Sequence, residues 1–389
     1  MVKKFFIIAG ESSGDLLGSK LIKEIKSRFE NPEKELEFIG VGGKLMKKEG
    51  FSSIFDMEEL SVMGFTEVLP HIPKLLRRIK QAAQEIRKIK PDYVITVDSP
   101  DFSFRVMKRL QDFGTSKKIH LIAPSVWTYR PGRAKKISKL YDLLLAILPF
   151  EPPYFTKHGL KTVFIGSPIV ENLPDFSNKG QIRQDFRSKY GFAGDDVLIY
   201  VTPGSRNFEV KNIFPEFIEA INLLKDDVAN LKIVISTVDK TRELVEKMSK
   251  DILADYVLVK SEEKEQSLMA CDFAMAKSGT NTVETSLYQL PLVVCYKFNA
   301  LTYFILDKMV TNRFANLINI IMNRYVIKEH IQKDCKGEKI AGSMRELILD
   351  LEVARKQIVE CQKALEMMGM GSEKSSTQKA VDAILDVVF

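Results

Sequence analysis

Four short segments of this chain set small, polar and charged residues where an apolar run gives way to a helical pattern. The first, Gly10-Glu11-Ser12-Ser13-Gly14-Asp15, follows the run Phe5–Ala9. Its glycines allow a tight turn and close approach of the backbone to a ligand, and Ser12, Ser13 or Asp15 could cap the next helix. It lacks GxGxxG spacing, which argues against a dinucleotide cofactor. Glu11, a carboxylate at the top of a buried strand, is not required by a plain strand-to-helix turn. The second, Val97-Asp98-Ser99-Pro100-Asp101-Phe102, ends another apolar run with Asp98. Desolvation there would raise the carboxyl pKa and make a better base. Asp101 suits the N-cap of the following helix, and the spacing of the two aspartates is wrong for a DxD metal pair. The third, Pro203-Gly204-Ser205-Arg206, would present N–H groups before a helix, with an arginine for a charge-assisted bond to phosphate. The fourth, Lys277-Ser278-Gly279-Thr280, offers N–H groups and hydroxyls to a pyrophosphate. Glu284 follows it, placed either to accept bonds from a ribose diol or to compensate the helix dipole. Together these segments describe anion sites in the second half of the chain and a carboxylate base in the first.

The elements that must hold them alternate. Phe5–Ala9, Leu36–Gly42, Asp92–Asp98 and Lys118–Trp127 are apolar runs separated by amphipathic stretches. Runs without period-two alternation are the mark of parallel strands covered on both faces, and their alternation with helices implies βαβ units in a doubly wound sheet. Pro, Asn and Gly gather between Pro168 and Gly180, the best linker, and a second strand–helix series follows it. From Gly337 onward the pattern is helical, with Gly369–Gln378 as a polar hinge. The expected fold is α/β: two Rossmann-like domains, 1–170 and 180–336, then helices over 337–389 that pack back on the first domain or on a partner chain.

Composition narrows the function classes. The chain has 389 residues, 45% hydrophobic and 28% charged, with a net charge of +7. That length favours two or three domains. A modest positive excess suits anionic small molecules or an anionic membrane surface, and no aromatic–basic interleaving points to nucleic acid. No stretch reaches the ~20 apolar residues of a membrane span, and the apolar run after Met1–Lys4 is too short for an export signal, so a cytoplasmic protein is expected. The four cysteines and four histidines show no metal-ligand spacing.

The motifs AGESSGD (Ala9–Asp15), MEELSVMGFTEVL (Met57–Leu69), DSPDF (Asp98–Phe102), PSVWTYR (Pro124–Arg130), LPFE (Leu148–Glu151), PGSR (Pro203–Arg206), SGT with Glu284, and NLINIIMNRYVIKEHIQ (Asn316–Gln332) occur in this order. In them the chain resembles the bacterial lipid-A-disaccharide synthases, from about Phe6 to Cys335 with a looser fit at the helical end. The resemblance implies a two-domain inverting glycosyltransferase of the GT-B type, using no metal or other cofactor. It would move 2,3-diacylglucosamine from UDP to the 6-hydroxyl of 2,3-diacylglucosamine 1-phosphate (lipid X). Carried over by position, Asp98 is the general base and Glu11 lies in the first-loop motif. Gly204, Ser205, Arg206, Ser278, Gly279, Thr280, Glu284, Asn319 and Gln332 form the nucleotide-sugar side. The chain departs from the family pattern at Ile318, Tyr129 and Ser167, where proline, tryptophan and histidine are usual.

Acylated substrates imply work at the cytoplasmic face of the inner membrane. Val62, Met63, Phe65, Val68, Leu69 and Ile72 crowd together beside Lys74, Arg77 and Arg78, the composition of an interfacial segment. Leu75/Leu76, Ile79, Ala82/Ala83 and Ile86 recur at helical spacing and are expected to face the core. A second basic run, Arg130, Arg133, Lys135, Lys136 and Lys139, is either a solvated helix face or a contact for phosphate or lipid head groups. A homodimer is expected, with exchanged C-terminal helices as one arrangement. The rival readings are a UDP-sugar 2-epimerase of the same architecture and a non-enzymatic sugar-phosphate-binding protein.

Overall fold

The computed structural model describes residues 2–60, 72–127, 132–297 and 313–387. Among them the chain divides into two compact units, Met1–Pro168 joined by Gly371–Phe389, and Ile169–Met370.

The first unit is built on β1 (Lys3–Ala9), β2 (Leu36–Val41), β3 (Ser52–Ser53), β4 (Tyr93–Val97), β5 (Lys117–Leu121), β6 (Leu143–Ala146) and β7 (Lys161–Phe164). They form one sheet in the order β3-β2-β1-β4-β5-β6-β7, with parallel pairing. Phe5, Phe6, Ile7 and Ile8 are fully buried, as a strand covered on both faces must be. The Phe5 ring stacks on those of Phe38 and Tyr93 in the neighbouring strands, with centroids 5.2 and 4.8 Å apart.

The second unit repeats the plan with β8 (Val197–Thr202), β9 (Leu231–Ser236), β10 (Asp255–Val259), β11 (Phe273–Lys277), β12 (Leu292–Tyr296) and β13 (Glu329–Ile331). Their order is β10-β9-β8-β11-β12-β13, again with parallel pairing. In both sheets the chain starts centrally, runs outward on one side, then returns to the other side of the starting strand. The connections leaving β1 and β4, and those leaving β8 and β11, therefore part at the carboxyl edge and open a crevice there. All four segments singled out in the sequence lie at these two switch points.

The helical end divides between the units, which corrects the expectation of one C-terminal body over 337–389. The helices Gly337–Leu349 and Leu351–Met367 belong to the second unit, where the Gln357 side chain bonds both the N–H and the C=O of Leu292 (2.6 and 3.1 Å). Only the helix Ser376–Leu385 belongs to the first, with Ala380, Val381 and Ile384 in that unit's core. It opens with a reciprocal capping box between Ser375 and Gln378.

Of the apolar cluster assigned to the membrane, Val62, Met63, Phe65, Val68 and Leu69 lie outside the described residues. The helix Ile72–Ile89 that follows buries Ile79, Ala82, Ala83 and Ile86 as expected. Leu76 departs from that stripe and is 41% exposed, beside exposed Ile72. Arg78 is also corrected: its guanidinium is taken by Glu59 (2.6 Å) and lies over the Phe55 ring, while Lys74 reaches the same carboxylate at 3.2 Å. Arg78 first, then Lys74, holds the Glu59 carboxyl down to about 2. Arg77 is exposed. No helix among the described residues is long and apolar enough to cross a membrane.

Candidate functional site

In the first unit the chemistry gathers where β1 and β4 end. Asp98 and Ser99 both hold left-handed backbone, φ 50° and 44°, a strained pair for residues with side chains. The turn is fixed from several sides. The Asp98 N–H donates to the Leu121 carbonyl (3.0 Å), the Ser103 hydroxyl donates to the Asp98 carbonyl (3.0 Å), and Pro100 opens the helix Pro100–Lys108. Burial raises the Asp98 carboxyl pKa, against a bond from the Ser99 backbone. Beneath it, the Thr96 hydroxyl lies 2.7 Å from His120 Nδ1 and 3.0 Å from the Tyr141 hydroxyl. Burial pulls His120 down to about 3, so this packing is neutral and stiffens β4 just before Asp98.

Glu11 stands across this switch point, at the cap position of the helix Ser12–Lys26. The two loops touch closely: a Cβ on Gly10 would lie 2.2 Å from the Ser99 hydroxyl oxygen, so glycine is needed there. Two further carboxylates are corrected. Asp15 does not cap its own helix; it is buried and accepts from the backbone N–H groups of Gly43, Leu45 and Met46 (2.8–3.0 Å). Asp101 does not cap the helix Pro100–Lys108 either; Ser99 holds that place, and the exposed Asp101 carboxylate pairs with Arg133 at 3.2 Å.

In the second unit a cavity of about 360 Å³ opens at the ends of β8, β9 and β11. It brings together Gly204, Ser205, Ser278, Gly279 and Thr280, all expected from sequence, with Lys264, Lys277, Thr202 and Thr237. Among the described residues two lysines and no carboxylate line it, each lysine paired with a carboxylate just outside the lining, Lys264 with Glu284 and Lys277 with Glu209. The helix Thr280–Leu287 begins at its edge, and the N–H groups of a first helical turn have no partner within the helix. The hydroxyls of Thr202 and Thr237 are buried and have no hydrogen-bond partner among the described residues. An unpartnered buried hydroxyl costs stability.

Behind this wall the PGSR turn works differently from the expectation of free N–H groups. Glu209, only 2% exposed, accepts from the Ser205 N–H (3.0 Å) and pairs with Lys277 (3.0 Å) and Arg206 (3.4 Å). Gly204 has φ 132°, and a Cβ there would meet the Glu209 Cβ at 2.6 Å. Glu209 thus sets the cation of Lys277 at the cavity, a role the sequence pattern did not reveal. Ser278 is also partly committed, its N–H to the Cys295 carbonyl (2.9 Å) and its hydroxyl to the Ala315 carbonyl (2.8 Å). Glu284 stands one contact behind the lining, holding Lys264 at 2.5 Å, while Arg206 is exposed. Asn319 is corrected. It is fully buried, its oxygen accepts from the N–H groups of Val326 and Ile327 (2.8 and 2.9 Å), and its Nδ2 donates to the Ile327 carbonyl (2.8 Å). That carboxamide closes a loop and has no atom left for a nucleotide. Gln332, in left-handed backbone after β13, lies outside the cavity lining.

Glu151, quoted only as part of LPFE, is another buried carboxyl. It is 2% exposed, and burial raises it to about 7 although it accepts from the N–H groups of Leu148, Ile147 and Trp127 (3.0, 3.2 and 3.3 Å). The Trp127 ring packs edge-on against Phe150, which ties the PSVW and LPFE segments into one rim.

Comparison with known proteins bears on the family and the fold. The family model described as lipid-A-disaccharide synthetase matches residues 5–384. The lipid-A-disaccharide synthase of Paramagnetospirillum magneticum is 38% identical over 386 residues, covering 98% of this chain and 97% of that protein. That of Rickettsia akari is 38% identical over 384 residues, covering 98% and 95%. Among solved structures, an S. aureus MnaA–UDP co-structure superposes with a TM-score of 0.65 at 18% identity, covering 100% of this chain and 98% of that one. A glycosyltransferase from Rickettsia africae gives 0.56 at 13%, covering 100% and 99%. These two share the fold. With the sequence matched along nearly its whole length, the chain belongs to the lipid-A-disaccharide synthase family.

Proposed function

We propose that the chain transfers 2,3-diacylglucosamine from UDP to the 6-hydroxyl of 2,3-diacylglucosamine 1-phosphate, with inversion at the anomeric carbon. The observation that carries this reading is the lysine- and hydroxyl-lined cavity of the second unit, with the helix Thr280–Leu287 beginning at its edge, in a member of this family. In it the donor diphosphate takes the first-turn N–H groups of the helix Thr280–Leu287, with Lys264, Lys277 and Arg206 as counter-charges. Glu284 and Gln332 are assigned to the rest of the nucleotide sugar.

On the acceptor side Asp98 takes the proton of the 6-hydroxyl as that oxygen bonds to the anomeric carbon. The bond from that carbon to the diphosphate oxygen breaks, and its electron pair leaves with UDP. A half-buried carboxylate with a raised pKa suits the task, because a stronger base holds the proton better at the transition state. Glu11, across the switch point, is assigned to the acceptor as the second carboxylate. Both substrates carry acyl chains, so the reaction belongs at a membrane surface, with Ile72, Arg77 and the Val62–Leu69 segment as the contact and a homodimer as the assembly.

The test is to supply UDP-2,3-diacylglucosamine and lipid X to the purified chain. A tetraacyl disaccharide 1-phosphate and one equivalent of UDP are expected. Conversion of the UDP-sugar without acceptor, or no disaccharide, would refute the assignment.

A further inference from the structure

The first unit holds a second cavity, of about 780 Å³, that no role above has absorbed. It lies along the helices Pro100–Lys108 and Gly132–Ile137. Among the described residues five cations line it, Arg105, Lys108, Arg133, Lys136 and Lys139, against the single carboxylate of Asp101, a balance of five minus one or +4. Phe104, Ile137 and Leu140 give it an apolar floor. A solvated helix face mixes both signs and pairs them along the helix. This lining does not. Among the described residues only Arg133 of the five has a carboxylate partner, Asp101, and its guanidinium also rests over the Phe104 ring, 5.1 Å from the centroid. Stacking holds the planar fork in place while leaving its N–H edge able to exchange one anion for another.

We propose that this cavity receives the phosphate of the acylated sugar acceptor, with Arg133 as the anchor and Lys136 and Arg105 as flanking charges. The identity of the occupant rests on the proposed function; the anion site rests on the lining itself. The volume falls within the roughly 300–1,000 Å³ of small-molecule pockets, and the apolar floor suits the hydrocarbon next to the head group. Position selects the acceptor. One wall of the cavity begins at Pro100, two residues past the proposed base, and Arg105 lies roughly 10 Å from Asp98 at about 1.5 Å per helical residue. A sugar whose hydroxyl meets Asp98 would direct its phosphate along this helix, where Arg133 can trade the Asp101 carboxylate for a bidentate bond to phosphate.

The experiment uses the full chain with two soluble probes, short-chain 2,3-diacylglucosamine 1-phosphate and the same sugar without its phosphate. The expected result for Arg133→Ala with Lys136→Ala is at least about tenfold weaker binding of the phosphorylated probe, from the loss of two charge-assisted contacts. Binding of the dephosphorylated probe and of UDP should stay within about twofold, kcat should be kept while acceptor KM rises, and Arg133→Lys should fall between the variant and the wild type. Unchanged binding of the phosphorylated probe overturns the proposal. If sedimentation with phosphatidylglycerol vesicles drops in the same variant, the cations serve phospholipid head groups; if it does not, they are a solvated face. The binding arm needs no turnover, so a chain that makes no disaccharide refutes the proposed function and leaves this readout intact.

Discussion

Glu151 turns a buried carboxyl into a measurement. Its carboxyl is raised from 4.5 to about 7, first by burial, so between those pH values the folded chain keeps a proton that the unfolded chain has released. Stability therefore falls as pH rises through this window, and levels off above it. At about 1.4 kcal/mol per pH unit, the window from 4.5 to about 7 corresponds to roughly 3 kcal/mol of stability present below pH 4.5 and lost by about pH 7. Glu151→Gln keeps an oxygen to accept from the Ile147 and Leu148 N–H groups and carries no charge. The difference in unfolding free energy between wild type and variant should thus change by up to about 3 kcal/mol between pH 5 and 8, in the variant's favour at high pH. Trp127, the only tryptophan of the chain, donates to Glu151 at 3.3 Å and reports the first unit directly. Urea titrations followed by its fluorescence at each pH supply the comparison, and the native fluorescence itself should show an inflection near pH 7 that the variant lacks. A difference that stays flat from pH 5 to 8 would refute the reasoning, because it would mean that this carboxyl ionises alike in the folded and unfolded chains.

Other outcomes follow from single contacts. Asn319→Ala removes three buried side-chain bonds and should cost about 2–4 kcal/mol in denaturant titration, with UDP affinity of the folded protein nearly unchanged. Thr202→Val with Thr237→Val removes two buried hydroxyls that lack a partner among the described residues, and stability in urea titration should hold or rise. Serine at Phe65, Leu69 and Ile72 should lower sedimentation with anionic vesicles, and unchanged partitioning would remove the membrane assignment. Because burial raises the Asp98 carboxyl pKa, kcat/KM should rise with pH through a midpoint above the ordinary 3.8, as the base loses its proton.

Local patterning carried most of the architecture. Phe5–Ala9 is apolar at every position and Tyr93–Val97 at all but Thr96, and only a strand covered on both faces buries such a run, so the parallel sheets and their switch-point loops were legible from sequence. Long-range pairing was not. Asp15 and Asp101 look alike as helix caps, yet the partner of one is the Gly43–Met46 turn and that of the other is Arg133, neither evident from local spacing. Asn319 reads as a ligand-binding amide until the Val326–Ile327 backbone is seen to consume it. Glu209 escaped notice because an acidic residue early in a helix has an ordinary local explanation, the dipole. The C-terminal helices show amphipathic faces, and amphipathicity states that a face is buried without stating against what.

The central claim is that Asp98 accepts the acceptor's proton while the second unit holds the nucleotide. Single-turnover transfer by Asp98→Asn, measured beside UDP affinity in the same preparation, tests it most directly. Transfer should slow by about 10²–10⁴ with UDP bound as tightly as by the wild type. A variant that transfers the sugar at a near-normal rate would contradict the account.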